Sequence, residues 1–424
     1  MGLAEVPMLL ALVGLAAYVV LGGADFGAGV WYMILPGERR RPLRDHTYHA
    51  MGPVWEANHV WLIFVLVVVW TAYPRAFGAI FSTLYVPLFA AALGIIMRGT
   101  CYALRGAVTG PREERILGAL FGASSALTPF ALGAAVGGIA SGRVPLGNAA
   151  GDAIDSWLNP TSVLVGVLAV ATSAYLAAVW LTADAERARR DDLVEAFRKR
   201  ALATGVIAGA VALGGLFVLR SDAERIYDGL TSGAGLAAVA ASVAAGAATL
   251  LFVARRRLEA ARWSAALAVG ALVAGWALAQ QPRLLPGLTV EEAAAGDATL
   301  VALLVSMAIG AAILIPSLAL LFGLVLRGRF DERPEEPGSL ERAARTPVHA
   351  GALRAEPGRR VGVAAAVCAL LGVPLTFVSD GGAGLAVGVT LLLAAVAAAA
   401  AFVVPQVALD EDADGRGHTR PDRG

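Results

Sequence analysis

Runs of apolar residues about twenty long alternate along this chain with short polar or charged stretches. A spanning helix needs about 20 mostly apolar residues to cross the hydrocarbon layer of a bilayer. On that measure the pattern predicts spans at 6–35, 52–71, 77–97, 116–140, 160–182, 201–219, 233–253, 263–280, 299–326, 361–379 and 384–405, eleven in all. The first and ninth are longer than one membrane thickness, so they should tilt, kink or protrude. The expected fold is all-α, a polytopic membrane helix bundle. Its nine-helix core covers 1–326, followed by a charged cytoplasmic loop 327–360, an extra transmembrane hairpin 361–405 and a tail 406–424. The loop and tail are charged and Pro-rich, a composition that buries too little apolar surface to fold alone.

Basic residues set the orientation, because Lys and Arg concentrate on the cytoplasmic side. The segments 36–51, 98–115, 183–200, 254–262, 327–360 and 406–424 hold 29 of the 34 Lys and Arg; the rest are Arg75, Arg143, Arg220, Arg225 and Arg283. That division places the N-terminus outside, the C-terminus in the cytoplasm, and no basic residue within a span. The stretch 183–200 is expected to extend the fifth helix into the cytoplasm through Glu/Arg pairs, and the longest outer loops are 141–159 and 281–298.

Composition agrees with a membrane protein: 58% of the 424 residues are hydrophobic and the mean hydropathy is +0.68, above a soluble domain's apolar share. A net charge of +1, with no basic patch interleaved with aromatics, gives no sign of a nucleic-acid partner. Cys101 and Cys368 provide neither metal spacing nor a disulfide framework. The N-terminus lacks the basic region of a signal peptide, so the first apolar segment is expected to remain in the mature protein. Glycine pairs four apart, such as Gly118/Gly122, Gly133/Gly137 and Gly205/Gly209, read as packing positions.

Two stretches carry candidate chemistry. In Gly52-Pro53-Val54-Trp55-Glu56-Ala57-Asn58-His59-Val60-Trp61-Leu62, a carboxylate, an amide and an imidazole fall within four residues at the mouth of the second span. An ionisable group at a helix centre costs roughly 2.5–3.5 kcal/mol to insert, so such groups usually face a protein interior or a water path. The first span is predicted to be interrupted at Leu21-Gly22-Gly23-Ala24-Asp25-Phe26-Gly27-Ala28-Gly29, where glycines surround one Asp. A short loop makes the two spans antiparallel neighbours, so Asp25 and Glu56 should share one leaflet and are candidates for proton transfer. Each has a plainer reading: Asp25 as the cap of a restarted helix, Glu56 as a first-turn acid favoured by the helix dipole. Asn58 and His59 are supporting polar residues, His59 being more readily a packing residue than a ligand. Trp55 and Trp61 are interfacial anchors or part of a cofactor wall. Arg98 ends the third span and either pairs with an acid in its leaflet or, by default, snorkels to the surface.

Taken together, Gly52 to Leu62, Gly22 to Gly29, Tyr73-Pro74-Arg75 and Tyr85-Val86-Pro87-Leu88 resemble subunit II of the cytochrome bd-type quinol oxidases, closest to the cyanide-insensitive branch. The resemblance implies a heterodimer in the bacterial cytoplasmic membrane. A haem-bearing subunit I would carry haem b, haem d and the quinol-oxidising loop. This chain would hold no cofactor and no metal, stabilise the complex, and supply cytoplasmic protons for reduction of oxygen to water. Quinol or quinone and lipids would be its small-molecule partners. Asp25 takes the place of the second acid in the family's Asp-Gly-Phe-Asp, and Glu56 that of the acid in Trp-Asp-Gly-Asn. The first acid of the former is Gly22 here. The hairpin 361–405 exceeds the usual nine helices and could stand in for a small accessory subunit. The competing reading is a proton-coupled secondary transporter, which would show internal repeats and paired broken helices; a purely structural scaffold leaves Asp25 and Glu56 unexplained.

Overall fold

The computed structural model describes residues 2–34, 42–44, 46–47, 55–104 and 111–326, together with 368, 387, 390, 391 and 394; of 55–57, 111, 318, 319 and 321–326 it describes the backbone alone. Two units are distinguished, Met1–Gly323 and Leu324–Gly424, and the account below concerns the first. Of the predicted spans 361–379 and 384–405 only 368, 387, 390, 391 and 394 are described, and the loop 327–360 and tail 406–424 lie wholly outside the described residues.

The helices in chain order are α1 (Glu5–Ile34), α2 (Trp55–Ala72), α3 (Pro74–Thr83), α4 (Tyr85–Leu104), α5 (Pro111–Ala140), α6 (Pro160–Arg187), α7 (Asp191–Asp222), α8 (Glu224–Thr231), α9 (Gly233–Ala254) and α10 (Leu258–Gln280). A small antiparallel hairpin, β1 (Arg283–Leu285) and β2 (Leu288–Thr289), then leads through α11 (Val290–Ala293) to α12 (Asp297–Leu326). Among the described residues eight helices are long and apolar enough to cross a membrane, and Asn58–Ala72 within α2 is a shorter apolar helix. The protein is an all-α polytopic membrane bundle.

Four sequence expectations change. The first span is not interrupted: α1 runs unbroken through Gly22–Gly29, because its glycines serve close packing rather than a break. The predicted span 77–97 splits at Leu84 into the short α3 and the full-length α4, so the crossing lies some residues later. The stretch 183–200 is not a single extension, since α6 ends at Arg187 and α7 starts at Asp191 after a turn in which Arg189 has φ 53°. And α8, α11 and the hairpin were not anticipated, being too short to leave a period in the sequence.

Local sequence explains several boundaries. Asn159 accepts from the Ser162 N–H at 2.9 Å with Pro160 in the first turn of α6, satisfying a free donor at the helix start. Thr289 and Glu292 form a reciprocal capping box that launches α11.

Helix α1 lies at the centre, packed against α2, α5, α6 and α10. Its Ala24, Ala28 and Trp31 join Ala177, Leu181, Phe197, Ala261 and Ala265 in one buried core. Where α1 begins, Tyr73, Leu84, Val144, Leu285, Leu288 and Leu300 form a second core. There the Tyr73 hydroxyl donates to the Ala4 carbonyl at 2.5 Å, and the Ala295 N–H to the Ala72 carbonyl at 2.8 Å. Asp222, ending α7, accepts both guanidinium nitrogens of Arg143 and the backbone and hydroxyl of Thr161, tying three elements together. At the other end of α6, Arg187 meets Glu259 at 2.6 Å and Arg262 lies 3.7 Å from Asp184. Among the described residues, α12 joins a core at its start, through Leu300 and Leu303. Val305, Ile309, Ile313 and Leu320 farther along are exposed.

Candidate functional site

The site is built on four helices. Tyr18, Asp25 and Phe26 come from α1, Asn58 and His59 from α2, Arg98 and Tyr102 from α4, and Phe121 and Ser125 from α5. Close approach of these helices depends on α1 glycines. A Cβ at Gly27 would overlap the Ser173 carbonyl of α6, and one at Gly29 would overlap Ser125 and press on Arg98. Their absence of side chains brings α5 and α6 onto α1 and closes the site.

Asp25 and Arg98 form an ion pair at 2.6 Å between Oδ1 and Nη2, with side-chain exposures of 0% and 2%. Nη2 also donates to the Asp25 carbonyl at 2.9 Å, and Nη1 donates to the Ser125 hydroxyl, which itself donates to the Phe121 carbonyl at 2.6 Å. The guanidinium carbon lies 4.5 Å from the Phe121 ring centroid, 5.3 Å from Phe26 and 5.5 Å from Tyr102. Ring faces carry partial negative charge and hold a cation electrostatically, most strongly where water is excluded. A buried cation is otherwise expensive, and the cost is met only when good geometry and further hydrogen bonds accompany the pair. Arg98 has both.

The carboxylate is less fully satisfied. Oδ2 of Asp25 is buried without a hydrogen-bond partner, and so is the hydroxyl of Tyr18 one side of it on the same helix. The Tyr18 ring meets Phe26 edge-on at 6.4 Å and His59 at 6.1 Å, and Phe26 meets His59 at 6.0 Å. Asn58 is buried and donates its amide to the Leu21 carbonyl at 3.3 Å, fastening α2 to α1 just before the glycine run.

The predicted residues thus fall as follows. Asp25 sits mid-helix and caps nothing, since α1 does not restart. Arg98 lies within α4 rather than in a loop, and it pairs with Asp25 instead of snorkelling; the expectation of spans free of basic residues is corrected accordingly. Desolvation of so large a cation is tolerable because an acid, a hydroxyl and three rings surround it. Asn58 and His59 join the same assembly. Trp61 is half-buried and meets Phe64 edge-on at 6.4 Å, away from the ion pair's partners. Trp55 and Glu56 fall in the first turn of α2, and their side chains lie outside those described. Tyr18, Phe26, Tyr102, Phe121 and Ser125 were missed. An intramembrane Arg98 four residues before Tyr102, and the Ser124-Ser125 pair in an apolar span, were the signals available.

A buried ion pair clasped by the leading helices of an all-α bundle defines a class, the polytopic membrane proteins that keep charge inside the hydrocarbon layer. Within that class the match is specific. The family model for cytochrome bd terminal oxidase subunit II matches residues 3–325, and the chain belongs to that family. A putative cytochrome bd menaquinol oxidase subunit II from Bacillus subtilis (strain 168) is 25% identical over 217 residues, 50% of this chain and 61% of that protein. A cytochrome bd ubiquinol oxidase subunit 2 from the same organism is 27% identical over 125 residues, 30% of this chain and 36% of that protein. The matched region therefore spans less than two thirds of either relative. The solved structure of bd oxidase from Geobacillus thermodenitrificans shares the fold, with a TM-score of 0.60 and 24% identity, covering 77% of this chain and 99% of that one.

Proposed function

We propose that this chain is the haem-free second subunit of a bd-type quinol oxidase in a bacterial cytoplasmic membrane. It supports a haem-bearing subunit and supplies protons from the cytoplasm for reduction of oxygen to water. Family membership supports the first part. The observation that carries the proton reading is the fully buried Asp25 with one oxygen on Arg98 and the other without a partner. An acid held this way has a lone pair open to a proton. Arg98 meanwhile keeps the Asp25 carbonyl, Ser125 and three aromatic rings, so a transiently neutral Asp25 does not leave the cation alone. Glu56, at the start of the neighbouring helix, is the donor in this reading. The N-terminus lies outside and the C-terminus inside, supported by the concentration of Lys and Arg in alternate connections.

The absence of haem from this chain is part of the proposal. A haem iron is commonly held by an axial side chain with open space across the ring face. His59, the histidine within a described span, is instead wedged between the edges of Tyr18 and Phe26. The transporter reading, which calls for paired broken helices, is weakened further, because even the one break the sequence suggested is absent from α1.

The test is to co-express the chain with its haem-bearing partner, purify the complex in mild detergent, and record its visible spectrum and oxygen consumption. The isolated chain should be colourless, and the complex should reduce oxygen with quinol. Stoichiometric haem on the isolated chain, or a chain that purifies alone and transports a solute, overturns the proposal.

A further inference from the structure

We propose that the turn joining α9 to α10, with the start of α7 beside it, binds the headgroup of an anionic phospholipid. The turn carries Arg255, Arg256 and Arg257 in succession, all exposed. Its shape is fixed by α9, because the N–H groups of these residues donate back to the Leu251, Val253 and Phe252 carbonyls at 3.0, 3.3 and 2.8 Å. Two contacts hold the start of α7 against it. Nη1 of Arg198 donates to the Ala254 carbonyl at 3.5 Å, and Nη2 of Arg256 reaches the Glu195 carboxylate at 3.4 Å. Charge there does not balance. Glu195 is already shared by Arg198 at 3.0 Å, Arg256 at 3.4 Å and Lys199 at 3.8 Å. Glu259, in the first turn of α10, is engaged by Arg187 and Arg262. Among the described residues no carboxylate pairs with Arg255 or Arg257.

An exposed surplus of cations where helices leave the hydrocarbon attracts acidic lipid, and the planar fork of arginine offers two parallel N–H donors to phosphate oxygens. The apolar surface beside the turn selects the kind of anion. Leu251, one turn before Arg255 on α9, is exposed; on α10 Trp263 is exposed to 76% and Leu267, one turn deeper, to 63%. A tryptophan at the end of a membrane helix stands at the level of the headgroups. Leu251 and Leu267 lie farther from the turn, where acyl chains would cover them. Cations above an uncovered apolar wall match an amphiphile with a phosphate head. A soluble anion has no use for the wall.

The test titrates the full-length protein, purified in mild detergent, with phosphatidylglycerol or with net-neutral phosphatidylcholine and counts bound lipid by native mass spectrometry. Phosphatidylglycerol should bind preferentially, and added salt should weaken it by screening exposed charges. Arg255→Gln with Arg257→Gln removes the two cations that no acid holds and leaves the Glu195 pairs in place, so folding should survive. Affinity for phosphatidylglycerol should fall about thirtyfold, the effect of two cations near an anionic lipid surface. Arg255→Lys with Arg257→Lys should retain most of it. Arg112→Gln with Arg115→Gln takes the same charge from the exposed start of α5, at the same end of the bundle, and should leave binding unchanged. Equal losses in the two Gln pairs would mean diffuse attraction without a site, and overturn the proposal. Salt-insensitive binding by the parent protein, no preference over phosphatidylcholine, or displacement by inorganic phosphate at constant ionic strength overturns it too.

Discussion

Arg98 on α4 reaches Asp25 on α1 at 2.6 Å, and neither side chain is exposed to more than 2%. The pair joins two helices 73 positions apart in sequence, at a depth where an uncompensated charge is costly. Everything else in the site is arranged around this contact.

Because the pair is buried, removing one member strands the other. Arg98→Leu should destabilise the complex by about 3–5 kcal/mol, the range for breaking a buried pair from one side. Asp25→Asn should be milder, since Arg98 keeps Ser125, the Asp25 carbonyl and its aromatic rings. The double variant Asp25→Asn with Arg98→Leu should be more stable than the sum of the two losses. Thermal unfolding of the four proteins closes the cycle; strict additivity would show that the two residues do not interact.

Proton delivery makes its own demands. Glu56→Gln preserves shape but cannot titrate, so oxygen consumption should drop while assembly survives, and Glu56→Asp should be less affected. Asp25→Asn should also slow turnover. If the two acids act in series, combining Glu56→Gln with Asp25→Asn should be little worse than the slower single variant. Multiplicative losses, measured as oxygen uptake in complexes with intact haem spectra, would separate them into different paths.

Two glycines in helix interiors should respond oppositely. Gly27→Ala places a methyl group against the Ser173 carbonyl and Ala177, so α1 and α6 must part; overpacking of this kind costs typically 1–3 kcal/mol. Gly209 in α7, which the sequence suggests as a packing position, instead has nothing within 4 Å of an added Cβ. Gly209→Ala should therefore gain up to about 1 kcal/mol from helix propensity. Melting temperatures of the purified complex give both signs at once.

Acid should loosen the segment around α11. The Thr289 backbone and hydroxyl both donate to Glu292 and hold its carboxyl below the usual range. A depressed folded value contributes stability that is fully present above the unfolded value of about 4.3 and is lost as pH falls through the folded one. Amide protection factors across 283–295, taken against the intrinsic exchange rate at each pH, should fall as pH drops below that point. Glu292→Gln removes the charge and should flatten the acid limb; an unchanged profile would assign the effect to another group.

Much of this was legible from the apolar runs, whose length gives the helical class and most of the crossings before residue 327. Helix ends were less so. The split at Leu84 follows from short-range backbone geometry, and the turn at Arg189 separates two stretches that read as one charge-laced helix. The glycine run misled because glycine loosens an isolated helix, whereas here it admits neighbouring helices against α1, a tertiary effect with no local signature. Asp25 announced itself as an acid in an apolar span. Its partner did not, since Arg98 sits close to the end of its run and a long basic side chain there usually reaches for the surface. The aromatic enclosure that keeps Arg98 inside comes from three helices, and only packing assembles it.

Helix α12 joins the second core near its start, at Leu300 and Leu303, while farther along Val305, Ile309, Ile313 and Leu320 are exposed. Apolar side chains left uncovered by the rest of the bundle pack on nothing within the chain. Shortening one of them therefore opens no cavity, whereas the same change at Leu300 empties space inside the second core.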